Sequence, residues 1–169
     1  VVDVSGSMDE ASAEASESRV TRMEAVVHGL KQMVSESLIP GDVLNLITFS
    51  TEAETVFTGK TFPGDKEYML KVISRLSPEN STNLNAGIEK GYAAAWEHYD
   101  REKNNRVIIL TDAWANRGEV DPKIISRYTR INNMEGIYFS GIGIGSGFNE
   151  AFLNELTEEG KGAYFLALS

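Results

Sequence analysis

The chain has no cysteine and only two histidines, His28 and His98. Those absences remove disulfides, thiol nucleophiles and Cys-zinc sites, and they leave too little imidazole for a His-rich metal centre. Long apolar runs are missing as well. No stretch approaches the ~20 residues a membrane-spanning helix needs, and no signal peptide opens the chain. Positive charge is scarce, with 16 Lys+Arg against 25 Asp+Glu and a formal net charge of −9. Binding to a phosphate backbone requires Lys and Arg to displace counterions, so nucleic acid is excluded as a partner. A basic amphipathic stretch for direct membrane insertion is absent too. Any metal bound here must therefore be held by oxygen, which points to Mg²⁺, with Mn²⁺ or Ca²⁺ as alternatives.

What the chain does contain is the composition of a folded domain. Hydrophobic residues make up 41% of 169 positions, enough for one core and a single domain over 1–169. Short β-branched runs alternate with helical patterns, the signature of parallel βαβ units. Strands are expected at Val1–Val4, Val43–Phe49, Arg106–Thr111, Gly136–Ile142 and Ala163–Leu168. Ala53–Phe57 follows its predecessor too closely for a crossover and is expected to pair antiparallel with it. Helices are expected from Met23 to Leu38, from Asp65 to Arg75, along the Leu84–Tyr99 stripe, from Asp121-Pro122 to Asn132, and over Asn149–Glu158. Gly87 and Gly91, four apart, suit close approach of a helix to a sheet. Val1 begins inside a strand and Ser169 follows directly on the last one, so the chain reads as an excerpt of a longer protein. The start of the first strand and a C-terminal helix are expected to be missing.

In an open parallel sheet, ligands bind beyond the carboxyl ends of the strands. Three loops there carry chemistry: Asp3-Val4-Ser5-Gly6-Ser7-Met8, Asn80-Ser81-Thr82-Asn83, and Thr111-Asp112. Each alone is ordinary turn chemistry. Together they bring two carboxylates and three hydroxyls to one rim. A cation held largely by neutral hydroxyls stays electrophilic and seeks another anion, which a partner protein's Asp or Glu carboxylate can supply.

This arrangement resembles the von Willebrand factor type A family, which includes the inserted domains of integrins. Its metal-ion-dependent adhesion site (MIDAS) reads Asp-x-Ser-x-Ser, then Thr, then Asp. Asp3, Ser5 and Ser7, Thr82, and Asp112 stand in those places. The resemblance implies an α/β fold, a Rossmann-like three-layer sandwich. Its mostly parallel six-stranded sheet has the order 3-2-1-4-5-6, one antiparallel edge strand and helices on both faces. It also implies a monomeric, non-enzymatic binding or adhesion module, bacterial in this case. Trp114, Asn83 and Ser50 are expected on the partner-binding rim, with packing on a neighbouring loop as the alternative for Trp114. An extracytoplasmic or cell-surface setting is expected, with a cytoplasmic one as the alternative. Ala113 departs from the Gly usual after the second Asp.

Other classes are weaker. A subunit of an intracellular chelatase-like or AAA+ ATPase-associated assembly is the main alternative, with a metal phosphohydrolase behind it. Aspartyl-phosphate chemistry lacks its second acid, because Ser5 stands there. Neither histidine lies at a strand end, so no base serves a Ser-His-Asp triad, and no G-x-S-x-G elbow occurs. The glycines at 141, 143, 145 and 147 do not complete a dinucleotide-binding spacing. Charge is local: the first thirty residues hold six acids against two bases, Arg19 and Arg22. The acidic stretch Asp9–Ser18 reads as a solvated loop.

Overall fold

Thr21 opens the first helix by a reciprocal capping box: its hydroxyl accepts from Glu24 N at 3.1 Å, and Glu24 Oε2 accepts from Thr21 N at 2.8 Å. In the computed structural model, α1 spans Arg22–Gln32 and widens into a π-helical turn over Met33–Ser37. The continuous helix expected as far as Leu38 is therefore interrupted. Leu38 N donates to Met33 O at 3.2 Å, an i→i+5 bond that ends the helix ahead of Pro40. The structure describes residues 1–11, 20–79, 81–112, 129–145, 158, 162 and 164–167.

The strands are β1 (Val2–Asp3), β2 (Val43–Phe49), β3 (Ala53–Thr61), β4 (Asn105–Thr111), β5 (Ile137–Ile144) and β6 (Tyr164–Ala167). They form one sheet in the order β3-β2-β1-β4-β5-β6. β2 and β3 pair antiparallel, and the other neighbours pair parallel. β3 runs four residues past the expected Phe57. A register shift at Gly59 lets it continue, with Gly59 N donating to Asn45 Oδ1 at 2.8 Å. β1 is only two residues long, and a cavity of about 450 Å³ opens beside Val1, lined by Leu44, Leu46, Val107 and Ile108 among others.

Two further helices follow, α2 (Lys66–Ile73) and α3 (Leu84–Glu97), and residues 129–134 are also helical. Period-2 alternation in the strands sends side chains to both faces. On one face, Val2, Val4, Leu46 and Ile144 pack with Met23, Val26, Leu30, Met69 and Ile73 of α1 and α2. On the other, Phe49, Val107, Ile109, Ile137 and Phe139 pack with Leu84, Ile88 and Tyr92 of α3. Each such fully buried large side chain contributes roughly 1.5–3 kcal/mol. A carbon added at Gly87 would lie 2.6 Å from Phe49 Cδ1, so the small residue is what lets α3 sit against β2. The expected fourth helix is described only over its last turns, and the expected helix over Asn149–Glu158 lies outside the described residues apart from helical Glu158. Among the described residues, no helix is long and apolar enough to cross a membrane.

Candidate metal centre

Val2 and Val4 are anchored in the core, and Asp3 between them is fully buried at the carboxyl end of β1. Its Oδ1 accepts from Ser5 N at 2.8 Å, an Asx turn that reverses the chain immediately after the strand. A single 3-10 turn over Gly6–Asp9 follows, pinned by buried Met8. This turn brings the two serine hydroxyls toward one another. Ser5 Oγ and Ser7 Oγ lie 3.1 Å apart, and Ser7 Oγ donates to Asp112 Oδ1 at 3.0 Å. Thr111, the last residue of β4, donates its hydroxyl to Asp3 Oδ2 at 2.6 Å.

Burial pushes the Asp3 carboxyl above its ordinary range. Hydrogen bonds from Ser5 and Thr111 pull the other way, and the nearby negative charge of Asp112 adds to the rise. The site thus holds a carboxylate that is hard to ionise without a compensating cation.

Of the five residues expected to hold a metal, four are joined by these contacts: Asp3, Ser5, Ser7 and Asp112. Thr82 is half-buried, and no hydrogen bond links it to them. Its loop nevertheless runs along the same rim, because Glu79 N donates to Val4 O and Asn83 N donates to Ser50 O. Ser81 beside it has φ +84°, a strained conformation for a non-glycine residue.

The expected rim is altered. Ser50 is buried and donates to Glu79 Oε2 at 2.9 Å, so it ties two loops together and is not presented to a partner. Exposed Asn83 caps α3 through Ala86 N and donates to Thr51 O. Trp114 lies outside the described residues. Three contributors were missed from sequence: Thr111, Glu79 and Arg22. Arg22 Nη1 lies 2.7 Å from Asp112 Oδ2 and 3.1 Å from Glu10 Oε2. A usable signal existed, since an Arg in the first turn of a helix opposes the dipole and calls for an anion nearby.

The donor set suits a hard divalent cation. Oxygens 3.0 and 3.1 Å apart satisfy hydrogen bonds, and they also match the roughly 3.0 Å edge between neighbouring ligands of an octahedral Mg²⁺ at ~2.1 Å. Among the described residues no three His, Cys, Asp or Glu side chains cluster.

Residues 1–115 match the von Willebrand factor type A domain. The chain belongs to this family. Among curated relatives, it is 29% identical over 167 residues to the uncharacterized protein YfbK of Escherichia coli, covering 97% of this chain and 27% of that protein. It is 31% identical over 170 residues to the rat inter-alpha-trypsin inhibitor heavy chain H3, covering 96% and 18%. This von Willebrand A chain therefore spans about a quarter or less of the length of these relatives. Among solved structures, a von Willebrand factor type A protein from Catenulispora acidiphila superposes with a TM-score of 0.79 at 17% identity, over 99% of this chain and 37% of that one. Proximal thread matrix protein 1 from the mussel byssus, solved with a zinc-occupied MIDAS motif, superposes at 0.72 with 19% identity, over 99% and 40%. Both share the α/β fold of the von Willebrand A domain.

Proposed function

We propose that this von Willebrand A domain binds a protein partner through a divalent cation, Mg²⁺ by chemistry, held by Asp3, Ser5, Ser7, Thr82 and Asp112. The partner's Asp or Glu carboxylate completes the cation's shell, and the domain is a binding module without catalytic activity of its own. The reading is supported above all by the spacing of Ser5 Oγ, Ser7 Oγ and Asp112 Oδ1, which suits adjacent ligands of a small octahedral ion. The zinc in the MIDAS motif of the mussel protein lends it family-level support. Bound there, the cation would act as a Lewis acid toward an incoming carboxylate. The chain's own residues do the rest: Thr111 and Ser5 N orient Asp3, and Met8 holds the serine turn in place.

The test is a calorimetric titration of Mg²⁺ into the domain and into a Ser5→Ala/Ser7→Ala variant. Saturable one-site binding by the wild type, lost in a variant of unchanged fold, is expected. Absence of binding by the wild type overturns the metal centre. Retention of a protein partner that is undiminished in EDTA overturns coordination by the partner's carboxylate.

A further inference from the structure

Arg22 is the one cation in direct contact with the candidate centre among the described residues, and its placement is costly. It stands in the first turn of α1, where the helix dipole disfavours positive charge, and its side chain is only 12% exposed. Nη1 is shared among Asp112 Oδ2 at 2.7 Å, Ser7 O at 3.2 Å and Glu10 Oε2 at 3.1 Å. Nε is buried with no hydrogen-bond partner. The guanidinium lies over the backbone of Gly145 at the end of β5, where an added Cβ would fall 2.7 Å from Nε. A socket built from three separate elements thus holds a positive charge against one oxygen of Asp112 while the other oxygen faces Ser7.

We propose that Arg22 is a resident counter-cation of the metal centre, one that weakens metal binding and strengthens the loaded centre's pull on an anionic ligand. This inference rests on the metal-centre reading above. The charge count carries it. With a dication, Asp3 and Asp112 alone the formal charges cancel, and the pull on a further carboxylate comes only from the metal's Lewis acidity on its hydroxyl-ligated side. Among the described residues in direct contact with the centre, Arg22 leaves one net positive charge beside it. Glu10 offsets this only weakly, because its side chain is 67% exposed and screened by water. Arg22 therefore trades metal affinity for appetite toward a carboxylate.

Mn²⁺ affinity of the wild type, Arg22→Gln and Arg22→Lys, measured by calorimetry, tests the inference, with thermal melts in EDTA recorded beside it. Gln keeps a donor for Asp112 without the charge, and Lys keeps the charge without the planar fork. Removing a unit charge this close to the site is expected to tighten Mn²⁺ binding in Arg22→Gln by about tenfold, and Arg22→Lys is expected to stay within about threefold of the wild type. The metal-free melt of Arg22→Gln should fall, because Asp112 loses its counter-charge. Detectable Mn²⁺ binding by Arg22→Gln alone also supports the inference. Unchanged or weaker binding by folded Arg22→Gln overturns it while leaving the metal centre intact, and failure of both variants to fold makes Arg22 a structural strut and overturns it too. No Mn²⁺ binding by any of the three proteins overturns the metal centre itself, and this inference with it.

Discussion

Thr111 Oγ1 sits 2.6 Å from Asp3 Oδ2, so the last residue of β4 fastens the carboxylate at the end of β1 from across the sheet. Neither residue is exposed, and the bond is made between neighbouring parallel strands. The carboxylates of the candidate centre therefore stand at sheet ends, with the loops adding Ser5, Ser7 and Thr82.

Thr111→Val keeps the shape of the side chain and deletes this donor. A buried carboxylate oxygen then loses its partner, which costs about 1–3 kcal/mol of stability. Outer partners that orient metal ligands are worth about 10–100-fold in metal affinity, and a loss in that range is expected for Mg²⁺. Urea unfolding and calorimetry on the same samples measure both. Wild-type Mg²⁺ affinity in the variant would show that Asp3 needs no such support.

The raised pKa of Asp3 sets a sign for pH dependence. In the unfolded chain the carboxyl ionises near its ordinary value of 3.8; in the folded chain burial delays ionisation. Between those two values the folded state holds the extra proton, so stability falls as pH rises through that window and stays lower above it. In EDTA at pH 7, Asp3→Asn is expected to unfold at higher urea than the wild type. The gap should close once the pH drops below about 3.8. A variant less stable than the wild type at pH 7 would mean that the hydrogen bonds from Ser5 and Thr111 outweigh the burial.

The von Willebrand A layout was legible because both periodicities are strong. Val43–Phe49 was bounded correctly from its apolar run, and Asn83 ahead of Leu84 marks the start of α3. The donor motif was legible because Asp3, Ser5 and Ser7 are local in sequence. What escaped was non-local: Thr111 meeting Asp3 and Arg22 meeting Asp112 are contacts between residues about a hundred positions apart, and even the first-turn Arg, which signals an anion nearby, does not say which one. Ser50 escaped for a different reason. A serine after a strand looks like rim, and only the descent of Glu79 onto it shows that its hydroxyl is already used.

Close packing of α3 on β2 predicts a contrast between two glycines. Gly87→Ala would drive a carbon to 2.6 Å from Phe49 Cδ1, and Phe49 is fully buried and cannot swing away. Overpacking of this kind costs about 1–3 kcal/mol. Gly29→Ala in α1 meets nothing within 4 Å. Relief of glycine's entropy in the helix should stabilise that variant by about 0.5–1 kcal/mol. Thermal melts of the two variants moving in the same direction would refute this account of the helix–sheet contact.

The oxygen spacing also predicts which cation the centre prefers. Ser5 Oγ, Ser7 Oγ and Asp112 Oδ1 are separated by 3.1 and 3.0 Å along their chain of contacts. Mg²⁺ accepts oxygens at ~2.1 Å in a near-ideal octahedron, whose edges are about 3.0 Å. Ca²⁺ bonds at 2.3–2.6 Å and takes six to eight oxygens, so the same edges would have to open to about 3.4 Å. The serine turn resists that expansion, since it is closed by Met8 N donating to Ser5 O at 3.0 Å and pinned by the fully buried Met8 side chain. Mg²⁺ and Mn²⁺ are therefore expected to bind at least about tenfold more tightly than Ca²⁺. Competition calorimetry measures the ratio. A Ca²⁺ affinity equal to or above that of Mg²⁺ would mean that the turn yields, and that its spacing reflects only hydrogen bonding between the hydroxyls and Asp112.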